Sequence, residues 1–215
     1  MTPPAVELVG VSKGFQGRPV LAGFDLAVRP GELVAVTGPS LAGKTTLIEL
    51  LAGWSRPDAG TVRWDGSTTP PPWSHVGVVP QGFALLEELT VQENIDLARR
   101  FARTNHNDER DAHIDRLLTQ LGLGRLRDRG AFEVSVGERQ RVMVARALAD
   151  RPSVVLADEP IAHQDEHHAT RALELLRTAV DDGAAGVVAS RTPELIGPFC
   201  DRVVAPWTGD QPGGP

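Results

Sequence analysis

Apolar residues along the chain come in short runs separated by polar, glycine and proline clusters, and the spacing within the runs changes twice. Val6–Val11 and Leu33–Thr37 predict strands, the second ended by the turn signal Gly38-Pro39-Ser40. Lys44–Ala52 then puts Leu47, Leu50 and Leu51 at i, i+3 and i+4, which predicts a helix stopped by Gly53. Thr61–Trp64 and Val76–Val79 predict two more strands, with a loop carrying Thr68, Thr69 and Pro70–Pro72 between them. From Gln81 the period becomes helical: Val91–Arg103, Asp111–Leu121 and Glu138–Ala149 each combine helically spaced apolar positions with abundant charge. Ser153–Ala157, Gly186–Ser190 and Arg202–Ala205 return to the strand pattern, with a helix expected over Glu166–Val180.

Strands alternating with helices predict an α/β fold, a mostly parallel sheet covered on its faces and interrupted by an inserted helical subdomain. The expected organisation is a single domain over 1–209, with a core of 1–81 and 151–209 and the helical part at about 82–150. The tail 210–215 (DQPGGP) reads as disordered, and no internal repeat is evident.

Composition narrows the partners. The chain has 215 residues, 41% of them hydrophobic, enough for one well-buried domain. With 22 basic and 28 acidic residues the net charge is −6, and no Lys/Arg-rich run suggests a nucleic-acid surface. Cys200 is the single cysteine, so an intrachain disulfide is ruled out, and the start (MTPP) reads as neither a secretory nor a membrane signal, which predicts a cytoplasmic protein. No stretch approaches the ~20 apolar residues of a membrane-spanning helix.

Gly38-Pro39-Ser40-Leu41-Ala42-Gly43-Lys44-Thr45 fits G-x-x-x-x-G-K-[ST] between a predicted strand and a predicted helix, the context in which the motif cradles phosphates. Backbone amides and the positive helix end converge on phosphate oxygens, Lys44 neutralises the β- and γ-phosphates, and the Thr45 hydroxyl faces magnesium. Val154-Val155-Leu156-Ala157-Asp158-Glu159-Pro160 is a buried strand ending in two carboxylates. Beside a phosphate loop, Asp158 is suited to hold magnesium through water and Glu159 to polarise an attacking water. ATP and Mg2+ are the expected ligands. His163 and His167 with Glu166 lack an evident third ligand, which argues against a transition-metal site.

Small-molecule kinases, GTPases and ABC ATPases share these two anchors, and no Asn-Lys-x-Asp guanine-reading sequence is present. What is present is Val134-Ser135-Val136-Gly137-Glu138-Arg139-Gln140-Arg141, opening a helix that leads to the Asp158 strand. On these motifs the chain resembles ABC-transporter ATPase subunits from Val6 to about Val204. Leu85–Ile95 and Leu156–Pro160 are most similar to the lipoprotein-release, macrolide-export and cell-division branch.

The resemblance implies a P-loop NTPase core with an N-terminal antiparallel β part, and a head-to-tail dimer sandwiching two ATP molecules. It implies nucleotide contacts at Phe15, Gly38, Pro39, Ser40, Leu41, Ala42, Gly43, Lys44, Thr45 and Thr46, and across the dimer at Ser135, Gly137, Glu138 and Asp165. It implies catalysis by Glu159, Gln81, Lys44 and Arg191, and magnesium at Thr45, Gln81 and Asp158. Read alone, Phe15 is also compatible with a core aromatic and Gln81 with a loop cap. The partners implied are a membrane-spanning permease and a second ATPase subunit, identical or different, at the cytoplasmic membrane face.

Three positions depart from the family pattern, and the segment before Asp165 is also altered, with His163 and Gln164 just ahead of it. Leu41 stands where glycine is usual, Val136 replaces the first glycine of the signature pair, and Arg191 occupies the switch-histidine position. Arginine can neutralise a γ-phosphate but is permanently charged and cannot act as a neutral acceptor or proton shuttle. Two readings therefore compete: a working but slow ATPase driving a permease, and a degenerate, non-hydrolysing regulatory subunit beside another ATPase. A cassette acting on DNA or ribosomes is disfavoured by the negative charge and the single-cassette length.

Overall fold

The structure is a computed structural model describing residues 3–97 and 108–205. The predicted tail 210–215 and the end of the Val91–Arg103 segment lie outside the described residues.

Two sheets form the frame. The first is antiparallel, with order β2-β1-β4, from β1 (Val6–Phe15), β2 (Arg18–Val28) and β4 (Ala59–Trp64). The second is parallel, with order β5-β6-β7-β3-β8, from β3 (Leu33–Thr37), β5 (Val76–Val79), β6 (Val154–Asp158), β7 (Ala185–Ser190) and β8 (Arg202–Val204). The helices are α1 (Lys44–Leu51), α2 (Val91–Ile95), α3 (Asp108–Gln120), α4 (Val136–Leu148), α5 (Glu166–Asp181) and the short α6 (Pro193–Ile196).

The parallel strands β6 and β7 are buried at every position, as strands covered on both faces must be. Alternate residues feed two cores. Val34 and Val36 point to a core with Leu47, Leu50 and Leu51 of α1 and the antiparallel sheet. Leu33 and Ala35 point to one shared with α3, α4 and α5.

β3 and β5 match the predicted bounds, and the antiparallel sheet fulfils the expected N-terminal part. β2 is the strand that the apolar pattern did not announce. It is an edge strand containing Pro19, which can sit at a sheet edge because it has no amide to donate, and its hairpin turns at Gln16 (φ 50°) and Gly17 (φ 79°). The helix expected from Val91 is observed over Val91–Ile95, opened by a Thr90/Glu93 capping box.

Candidate nucleotide site

The sheet order brings the motifs together. β3, β7, β6 and β5 are neighbours, with Thr37 opposite Ser190, Ala189 opposite Asp158, and Ala157 opposite Val79. The phosphate loop, Ser190–Thr192, Asp158–Glu159 and Gln81 thus leave the carboxyl edge of one sheet side by side, where open α/β sheets bind ligands.

The loop that follows β3 is shaped by backbone geometry. Gly43 precedes α1 at φ 80°, and a Cβ there would lie 2.9 Å from Val20 Cγ1, so the glycine lets the loop rest on β2. Lys44 is buried, and its ammonium donates to the Gly38 carbonyl (2.8 Å) and the Pro39 carbonyl (2.9 Å), which holds a positive charge inside the loop. Leu41 adopts φ 69° with its side chain 99% exposed, so its bulk is turned out to solvent at the loop's crest.

Thr45, Asp158 and Gln81 converge although they come from three segments. The Thr45 hydroxyl donates to Asp158 Oδ2 (2.6 Å) and lies 3.2 Å from Gln81 Oε1. Burial pushes the Asp158 carboxyl above its ordinary pKa, against the opposing pull of the Thr45 hydrogen bond, and neighbouring Glu159 adds to the rise. Asp158 Oδ1 is buried with no hydrogen-bond partner among the described residues. Three oxygen donors and an orphaned carboxylate oxygen fit a hard divalent cation such as Mg2+.

Glu159 is held more tightly than its neighbour. Its backbone takes φ 51°, a strained value for a residue with a side chain, and its amide donates to the Ala189 carbonyl (2.8 Å). The carboxylate accepts from Arg191 Nε (3.2 Å), the Arg191 amide (3.4 Å) and the Ser190 hydroxyl (3.3 Å). Gln140 Nε2 donates to the Glu159 carbonyl (3.2 Å), joining α4 to this corner. Ser190 and Gln140 belong to this network, a role that the sequence alone does not assign them. Ser190 lay next to Arg191 and was the more legible of the two, whereas Gln140 reaches Glu159 only through the packing of α4.

Ser135 caps α4: its hydroxyl accepts from the Glu138 amide (3.3 Å), and Glu138 Oε2 accepts from the Ser135 amide (2.7 Å). That amide bond holds the Glu138 carboxyl below its ordinary pKa. Val136 is the first residue of α4, in a helical conformation that a β-branched side chain tolerates. Gly137 packs on the Asp165 loop, since a Cβ there would stand 2.7 Å from the His163 carbonyl. Asp165 caps α5, and its carboxyl is lowered by the His168 amide. Phe15, 48% exposed at the β1–β2 hairpin with the Lys13 ammonium 5.6 Å from its ring centre, is not a core aromatic.

Beyond Gln81 the chain forms a bracket. Buried Asn94 bonds the backbone of Leu86, Leu89 and Thr90, and Arg146 of α4 donates to the Ala84 carbonyl (2.6 Å). Phe83 and Leu86 remain partly exposed on it. No described helix is long and apolar enough to cross a membrane.

A family model described as ABC transporter matches residues 21–162. The lipoprotein-releasing system ATP-binding protein LolD 1 of Rhodospirillum rubrum is 38% identical over 95% of this chain and 96% of its own length. LolD 2 of Caulobacter vibrioides is 36% identical over 95% of each chain. Among solved structures, a dimeric ATP-binding cassette in a post-hydrolysis state with ADP and Pi aligns at TM-score 0.83 and 27% identity over 93% of both chains. An ATP binding subunit of an ABC transporter aligns at TM-score 0.85 and 26% identity over 94% of this chain and 85% of that one.

Proposed function

The chain belongs to the family of ABC transporter ATP-binding subunits, and from that premise we propose that it binds Mg-ATP at the carboxyl edge of its parallel sheet and hydrolyses it to drive a membrane permease. The observation that carries this reading is the convergence of Thr45, Asp158 and Gln81 oxygens beside the Lys44 loop. Lys44 and the amides opening α1 offset charge on the phosphates, and Phe15 offers an exposed ring to the adenine. Thr45, Asp158 and Gln81 would hold Mg2+, whose charge offsets that of the phosphate oxygens when bound.

Glu159 accepts a proton as water attacks the γ-phosphorus and the bond to the β-phosphate oxygen breaks, while Gln81 and Arg191 order the reacting groups. Ser135, Gly137, Glu138 and Asp165 would meet the nucleotide of a second subunit in a head-to-tail dimer. In this reading 1–209 is one domain, with its core in 1–81 and 151–209 and a helical subdomain at about 82–150.

The Gln81–Ile95 bracket is the surface offered to the permease. Arg146 ties it to the helix whose start carries Ser135, so a shift of α4 on nucleotide binding moves both. The LolD relatives favour a permease of the lipoprotein-release kind, which seats this chain on the cytoplasmic membrane face.

The test is magnesium-dependent ATP hydrolysis by the purified chain and its Glu159→Gln and Arg191→His variants, with nucleotide binding measured in each. Turnover abolished by Glu159→Gln with binding retained is expected. Turnover that survives this change would remove Glu159 from the proposed role.

A further inference from the structure

Glu159 is a poor partner for water while its carboxylate is engaged as it is here, with three of its roughly four acceptor sites occupied. Oε1 accepts a hydrogen bond from Arg191 Nε, and Oε2 accepts from the Arg191 amide and the Ser190 hydroxyl. The two partners differ in freedom. The Glu159 side chain is 9% exposed and rooted by backbone bonds to Ala189 and Gln140, whereas the Arg191 side chain is 58% exposed. The guanidinium can therefore leave without unpacking anything, and the carboxylate cannot.

The Arg191 side chain engages Glu159 through Nε, and its two Nη groups make no hydrogen bond among the described residues. That leaves the two Nη groups without a partner in the pair, and a guanidinium fork suits two oxygens of a phosphate. The strand register fixes the place: Arg191 follows Ser190, which pairs with Thr37 at the entrance of the phosphate loop.

We propose that Arg191 is a triphosphate-operated restraint on Glu159: the resting ion pair keeps the carboxylate from water until a terminal phosphate draws the guanidinium away. This rests on the reading of the site as an ATPase. It assigns Arg191 a positioning role that a neutral imidazole at the same place could not perform, because only a permanent cation forms this pair at every physiological pH. A terminal phosphate competes with Glu159 for one cation, so part of the attraction between ATP and Arg191 offsets the loss of the resting pair. ADP lacks the γ-phosphate and so presents no competitor at that place.

The test is a double-mutant cycle read by binding rather than turnover. ATP and ADP affinities are measured with Mg2+ for the wild type, Glu159→Gln, Arg191→Ala and the double variant, at concentrations where sedimentation reports monomers. Glu159→Gln, which frees the guanidinium, should raise the preference for ATP over ADP about tenfold, equivalent to ~1.4 kcal/mol. In the Arg191→Ala background the same change should alter it less than about twofold. Arg191→Lys, which keeps the charge, should retain most of the coupling. An equal rise in both backgrounds, or none in the wild type, overturns the restraint. A wild-type chain that binds no ATP overturns the ATPase reading itself.

Discussion

α1 and α4 begin in opposite ways. α1 starts after Gly43 with no side-chain cap and no acidic residue in its first turn, and the buried Lys44 ammonium sits at its mouth. α4 starts with Ser135 and Glu138 satisfying each other's backbone amides. The first helix end is left for a ligand to complete, and the second is complete without one. The contrast extends to the side chains nearby, since Asp158 keeps an orphaned buried oxygen whereas Asp165 and Glu138 are engaged by amides. In the proposed reading, stability is thus withheld where an anion and a cation enter, and supplied where the segment holds its shape until a second subunit meets it.

The largest effect expected from this contrast is at Lys44. Lys44→Ala removes the one charge inside the loop, so ATP affinity should fall by roughly 30-fold or more, the equivalent of a lost charged hydrogen bond of about 2–3 kcal/mol. Isothermal titration against ATP measures it. Affinity within a factor of two of wild type would mean that the amides opening α1 suffice, and that the loop is more complete than its geometry indicates.

Asp158→Asn sharpens the contrast from the stability side. Burial raises the Asp158 pKa, so the folded chain binds this proton more tightly than the unfolded one. Any stability the group contributes is then present below the ordinary carboxylate range and lost as pH rises through the folded value. An uncharged amide removes that loss, so the variant should be more stable than wild type near neutral pH, with the gap closing in acid. Denaturant midpoints across pH measure the gap. The same change should abolish the tightening of ATP binding by magnesium, and a magnesium effect that persists would move the metal site elsewhere.

The two helix starts also differ in how far the sequence disclosed them. The phosphate loop was legible because its glycines, Lys44 and Thr45 lie within one segment, and the strand before it is an apolar run buried on both faces. Ser135 and Glu138 stand out in the sequence as nucleotide contacts through the family resemblance, whereas their mutual cap is a property of the folded helix start. The Glu159–Arg191 pair joins residues 32 apart in sequence and exists only because β6 and β7 are neighbours in register. β2 escaped the apolar pattern because its edge position tolerates Pro19 and irregular pairing with β1, with register shifts between Leu8 and Val11 and on to Gly14. Leu41 departs from the usual glycine, and the loop accommodates it at φ 69° with its bulk out in solvent.

The smallest effect expected is at the α4 start. Ser135→Ala deletes the cap and should lower stability by about 1 kcal/mol. Glu138→Gln should cost less, because the carboxylate is largely solvated and its attraction to the helix start is screened. The two are separated by pH. Glu138 has a depressed pKa, so its contribution is present above the ordinary glutamate value and lost as pH falls through the folded one. Acid should therefore erase the difference between wild type and Glu138→Gln while leaving most of the Ser135→Ala deficit, because a hydroxyl has no proton to gain in that range. Thermal unfolding at neutral and acid pH would read both. Deficits that close together in acid would mean that the hydroxyl acts only by orienting Glu138, and the completeness of this helix end would then rest on charge alone.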